Sequence, residues 1–107
     1  MLLLYLISYI TRRFESYGDS PFIDWVARLG ETRELFEGCV LLNSAFTAVG
    51  IRRRLIGHIR EDEILFITQV FQNHCAGKLT CGQKEFVRTH LCPDLFGPPP
   101  DKKPYSF

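Results

Sequence analysis

EILFITQVF, residues 63–71, is apolar at nearly every position. A run of this kind suits either a helix buried on all sides or a strand buried on both faces. Its β-branched and aromatic residues permit a strand, and periodicity alone does not separate the two. The flanks favour a helix. Glu61, Asp62 and Glu63 place negative charge where a helix N-terminus stabilises it, and Gly77, a few residues beyond, is a helix stop. The expectation for 63–71 is a central buried helix, and with it an all-α fold class.

Upstream, the same reading extends. IRRRLIGHIR, residues 51–60, forms a short helix with Ile51, Leu55 and Ile59 inward. Before it, Leu35, Cys39, Leu42, Phe46 and Val49 recur at intervals of 4, 3, 4 and 3, the strongest periodic signal in the chain. Gly50 closes that stripe, and Cys39 within it reads as a small buried hydrophobe. In SPFIDWVARLG, Ser20 caps a helix and Pro21 fits its first turn. Phe22, Trp25, Val26 and Leu29 share its inner face, and Gly30 ends it. Residues 2–17 make the first helix, with Leu3, Leu6, Ile7, Ile10 and Phe14 on one side. A membrane surface could take that amphipathic face, but burial against the domain is the favoured reading. The expected architecture is a single bundle of five or six short helices over residues 1–92.

Downstream lies HCAGKLTCGQKEF, residues 74–86, with two cysteines and a histidine. Zinc is the first idea, because His74, Cys75, Cys81, His90 and Cys92 fall within nineteen residues. The spacing opposes it. A helix over 81–91 separates Cys81 from His90 by about 13 Å along its axis, whereas zinc ligands lie about 2.0–2.3 Å from the metal. The apolar run 64–71, the Gly77–Thr80 turn and Glu85-Phe86 resemble an EF-hand. Glu85 comes eight positions after Gly77 rather than six, and the early loop positions Gln72, His74 and Ala76 carry no carboxylate. The resemblance therefore implies a degenerate, calcium-insensitive adaptor with no metal. The simplest reading is a turn between two helices. Thr80 and Gln83 have the form of a capping box, and Phe86, Val87, His90 and Leu91 form the next inner face. Cys81, at a helix N-terminus, is the candidate reactive thiol. Residues 93–107 make an extended proline-rich tail, in which Pro98, Pro99, Pro100 and Tyr105 could meet an aromatic-lined partner groove.

Composition limits function. The chain has 107 residues, 46% of them hydrophobic and 23% charged, as expected of one globular domain. A net charge of +1 gives no global pull toward nucleic acid or anionic membrane. A local patch exists: Arg52, Arg53, Arg54, His58 and Arg60 lie in a stretch with no acidic residue between Glu37 and Glu61. NSAFTAVGIRRRLIGHI resembles a helix-turn-helix, which implies nucleic-acid contacts from these arginines. The favoured reading of the cluster is a solvated, ion-paired surface facing Glu61, Asp62 and Glu63. No phosphate-cradling glycine loop, nucleophile elbow or His-Glu-x-x-His motif is present. The apolar start lacks the flanks of a secretory signal. The resulting expectation is an intracellular, cytoplasmic, non-enzymatic module without a cofactor. It binds another protein through an apolar groove or an exposed helix face, with nucleic-acid binding as the alternative.

Overall fold

A computed structural model describes residues 2–10, 21–71 and 76–90. In chain order the elements are β1 (Leu3–Ile10), α1 (Phe22–Ala27), β2 (Glu31–Phe36), β3 (Cys39–Ser44), α2 (Ala48–Leu55), β4 (Ile64–Gln69) and α3 (Cys81–His90), with a 3-10 turn (Ile56–His58) directly after α2. The strands form one antiparallel sheet in the order β2-β3-β1-β4. Since β3 runs against both β1 and β2, those two run in the same direction with β3 between them. By the same logic β3 and β4 are parallel with β1 between. Two interleaved βαβ units of this kind are the split arrangement of ferredoxin-like sheets, and α3 is an addition to it. The expectation of an all-α bundle is overturned, and residues 63–71 hold a strand.

The misreading has a physical cause. Tyr5 and Ile7 of β1 point to one face of the sheet, where Val40, Leu42, Phe22, Val26, Ile51 and Leu55 complete a buried cluster under α1 and α2. Leu4 points to the other face and packs with Leu41 of β3 and Phe86 and Val87 of α3. Strands covered on both sides lose their polar alternation and read as continuous apolar runs. Within the expected helix over residues 2–17, Leu3–Ile10 form β1, the inner strand that pairs with both β3 and β4, and residues 11–17 lie outside the described residues. It lies in the sheet and forms no amphipathic surface helix for a membrane. No helix among the described residues is long and apolar enough to cross one.

The 4-3-4-3 stripe also dissolves. Leu35 is on β2, Cys39 and Leu42 are on β3, Phe46 is in the following connection and Val49 is on α2. All six residues of β3 are buried. The overlooked signal is Glu37-Gly38, which joins β2 to β3 in a two-residue turn. Gly38 takes φ +88°, a conformation open to glycine, and its carbonyl accepts the Tyr9 N–H at 2.8 Å.

Other local readings hold in part: α2 spans Ala48–Leu55 instead of 51–60, so Gly50, expected to close a helix, lies inside it and Ile59 lies beyond it in extended conformation. Phe22 and Val26 form the buried side of α1, directly after Pro21, and Ile51 and Leu55 form that of α2. Ser20 lies outside the described residues. The Thr80–Gln83 capping box is formed: the Thr80 N–H donates to Gln83 Oε1 at 3.1 Å, and the Gln83 N–H to Thr80 Oγ1 at 3.4 Å. Thr80→Ala is expected to cost about 1 kcal/mol of stability, read as a lowered midpoint in thermal unfolding followed by circular dichroism.

Candidate functional site

The two edges of the sheet are treated differently by the sequence. An edge strand exposes backbone donors and acceptors that another chain can pair with, and proteins blunt such edges with charge, bulges or cover. The β2 edge has all three. Glu31, Arg33 and Glu34 are exposed charges. A register shift interrupts pairing between Glu34 and Phe36. Gln83 Nε2 of α3 donates to the Glu34 and Leu35 carbonyls, each at 3.1 Å, and His90 Nε2 lies 3.2 Å from Glu31 Oε2.

Among the described residues the β4 edge has none of them. Its six residues, ILFITQ, carry no charge and no proline, and its pairing with β1 runs without a bulge from Gln69 to Ile64. Among the described residues no strand pairs with its outer side. Ile64 and Phe66 point to the α3 face, where they remain 56% and 63% exposed, and Ile10, opposite Ile64, is exposed beside them. On the other face, Leu65 and Ile67 meet α2. There Ala48, Val49, Arg52, Ile56, Leu65, Phe66 and Ile67 line an open groove of about 270 Å³. The reason lies in α2. Ile51 and Leu55 point into the core, while Val49, Arg52 and Ile56, spaced 3 and 4 apart, form a second stripe overlooking β4. Val49 is 60% exposed and Ile56 40%. The open edge thus has uncovered apolar side chains above and below it.

The expected basic cluster is split up. Arg52, Arg53 and Arg54 are exposed on α2. Arg54 turns back on its own connection: it donates to the Gly50 carbonyl at 3.0 Å and lies 3.7 Å from the centre of the Phe46 ring. His58 stacks on Trp25 with ring centres 3.8 Å apart, and Arg28 covers the same indole at 4.1 Å. The Arg60 backbone N–H donates to Glu63 Oε1 at 2.8 Å. Among the described residues no carboxylate pairs with Arg52, Arg53 or Arg54, so the expected ion-paired surface is not formed there. The helix-turn-helix is absent too, because Asn43 and Ser44 end β3 and α2 stands as the single helix of that stretch.

The EF-hand likeness fails on its incoming helix, whose place is taken by β4. Cys81 is the first residue of α3, with an exposed free thiol, and Cys39 is buried. His74, Cys75 and Cys92 lie outside the described residues, as do Pro98, Pro99, Pro100 and Tyr105. Among the described residues no three His, Cys, Asp or Glu side chains gather as a metal site would require. Burial, with Glu34, Glu37 and Cys39 nearby, raises the Tyr9 phenol above its ordinary pKa. The buried polar groups serve the fold. Tyr5 Oη donates to the Phe46 carbonyl and Ser44 Oγ to the Leu29 carbonyl, both at 2.8 Å.

The residues that sequence reasoning passed over are Ile10, Val49, Ile56, Ile64 and Phe66. One signal could have found Val49 and Ile56: the second stripe, Val49, Arg52 and Ile56, on and just after α2. No protein-family model, curated protein or solved structure matches the chain.

Proposed function

We propose that this chain is a non-enzymatic protein-interaction module that accepts an extended polypeptide segment along the outer edge of β4. The observation that carries the reading is the contrast between the edges: β2 is charged, bulged and covered by Gln83, and β4 is neutral, regular and apolar on both flanks. Strand addition of this type takes affinity from main-chain hydrogen bonds and specificity from alternate side chains. Here the alternate side chains of an added strand would meet Val49, Ile56 and Leu65 on one face and Ile64 and Phe66 on the other. Arg52 belongs to the groove in this reading and serves as a polar rim.

Selection from a library of displayed linear peptides tests it. The wild-type chain is expected to enrich peptides with alternating apolar residues. A Val49→Lys/Phe66→Lys chain, altered at two exposed positions, is expected to lose them. Equal binding by both chains, or no enrichment by the wild type, would reject the reading.

A further inference from the structure

We propose that the segment β4 accepts is the β4 of a second copy, joined antiparallel about a two-fold axis through Phe66. The inference rests on the reading of β4 as a docking edge and names its occupant.

Self-complementarity is the argument. In an antiparallel pair, directly opposed residues point to the same face of the sheet. Two-fold pairing about Phe66 therefore sets Phe66 against Phe66 of the other copy, Leu65 against Ile67, and Ile64 against Thr68. Over Ile64–Thr68 every opposition is apolar or neutral, and an aromatic pair sits at the centre, the kind of cross-strand contact that stabilises sheets; at either end of the joint Gln69 of one copy meets Glu63 of the other. The same operation on β2 would repeat Glu31, Arg33 and Glu34 along the joint, on a strand whose carbonyls Gln83 already engages. The symmetry also brings the two α2 helices to the same side of the joined sheet, so that Val49 and Ile56 of one copy approach those of the other and close the groove from both sides. The product is an eight-stranded sheet whose two outer edges are both the protected β2.

Arg52 gives the association a salt dependence. The two-fold places one Arg52 on each side of the joint, and their repulsion is screened as ionic strength rises. Apolar burial also strengthens in sulfate or phosphate. The dimer tightens with salt, the reverse of binding to nucleic acid, which weakens as counterions are released. A six-residue strand and a few side chains make a small interface, in the transient class.

Sedimentation equilibrium of the full chain under reducing conditions, over a concentration series at low and high salt, is the test. Wild type is expected to show a monomer–dimer equilibrium that shifts toward dimer with salt. Phe66→Lys puts like charges face to face at the axis and is expected to weaken association at least about tenfold. Thr68→Lys, at another exposed position on the same face, serves if the first variant fails to fold. In hydrogen exchange the β4 amides are expected to gain protection with protein concentration. Transferred out of reductant and treated with diamide, which takes up the two electrons and two protons, a Phe66→Cys chain is expected to form an intermolecular disulfide joining the two substituted positions. A wild type that stays monomeric throughout overturns the proposal, and the peptide selection then judges the docking edge separately. A dimer unaffected by Phe66→Lys overturns it as well. So does β4 protection that is independent of concentration, which means that the chain itself covers the edge.

Discussion

Leu42→Ala is expected to cost about 2–5 kcal/mol of folding free energy, the range for truncating a fully buried leucine. Leu42 has no solvent exposure and sits in β3 between Tyr5 of β1 and Thr32 of β2. Its side chain belongs to the cluster of Tyr5, Ile7, Val40, Phe22, Val26, Ile51 and Leu55 that binds α1 and α2 to the sheet. Removal of three carbons there loses transfer free energy and leaves a cavity. The strand cannot move in to fill it, because its backbone is hydrogen-bonded on both sides. Domains of this size are stable by only about 5–15 kcal/mol, so the loss is a large fraction of the whole. Urea unfolding followed by the fluorescence of Trp25 should show a lower midpoint with an unchanged slope. Leu41→Ala, on the opposite face, should cost less, since only Leu4, Phe86 and Val87 complete the buried cluster there. If the two variants cost the same, the α3 face is as essential to the fold as the α1/α2 face.

That two-sided burial also explains how far the sequence could be read. Short-range chemistry was legible. Thr80 and Gln83 announce a helix start through residues three apart, and both hydrogen bonds are present. Phe22 and Val26 mark the inner side of α1 because that helix has one solvent-facing side. The strands were not legible. β1 and β3 are covered above and below, which erases the period of two, and apolar runs such as Leu3–Ile7 and Cys39–Leu42 then match a helix by chance as well as a strand. The 4-3-4-3 stripe is such a coincidence, running through a glycine turn that a helix would not tolerate. β4 is the instructive case. Its solvent-facing positions are themselves Ile64 and Phe66, so its alternation is hidden by the feature that makes it a docking edge. The arginines were legible as exposed. Their partners were not, because stacking of Arg54 on Phe46 and of His58 on Trp25 depends on where the chain turns, not on spacing.

Gly30→Ala is expected to destabilise the fold by about 3 kcal/mol, at the upper end of the range for overpacking. The obstacle is space. A Cβ at Gly30 would fall 2.0 Å from the Asn43 carbonyl oxygen, a distance that no real contact tolerates. That oxygen is backbone, so no side-chain rotation relieves the clash. Asn43 is itself fixed, paired with Leu4 on one side and Glu31 on the other. The alternative is for residue 30 to move, and it is held too: the neighbouring Leu29 donates its N–H to the Val26 carbonyl and accepts from Ser44 Oγ. These bonds seat the end of α1 against β3. Gly57→Ala is the internal control. Nothing lies within 4 Å of the added Cβ, and loss of glycine freedom in the unfolded chain should stabilise by about 0.4–1 kcal/mol. The same chemical change should therefore move the unfolding midpoint in opposite directions at the two positions. Equal shifts would mean that the residue type, not the close approach of β3, governs Gly30, and that α1 is not anchored to the sheet through this contact.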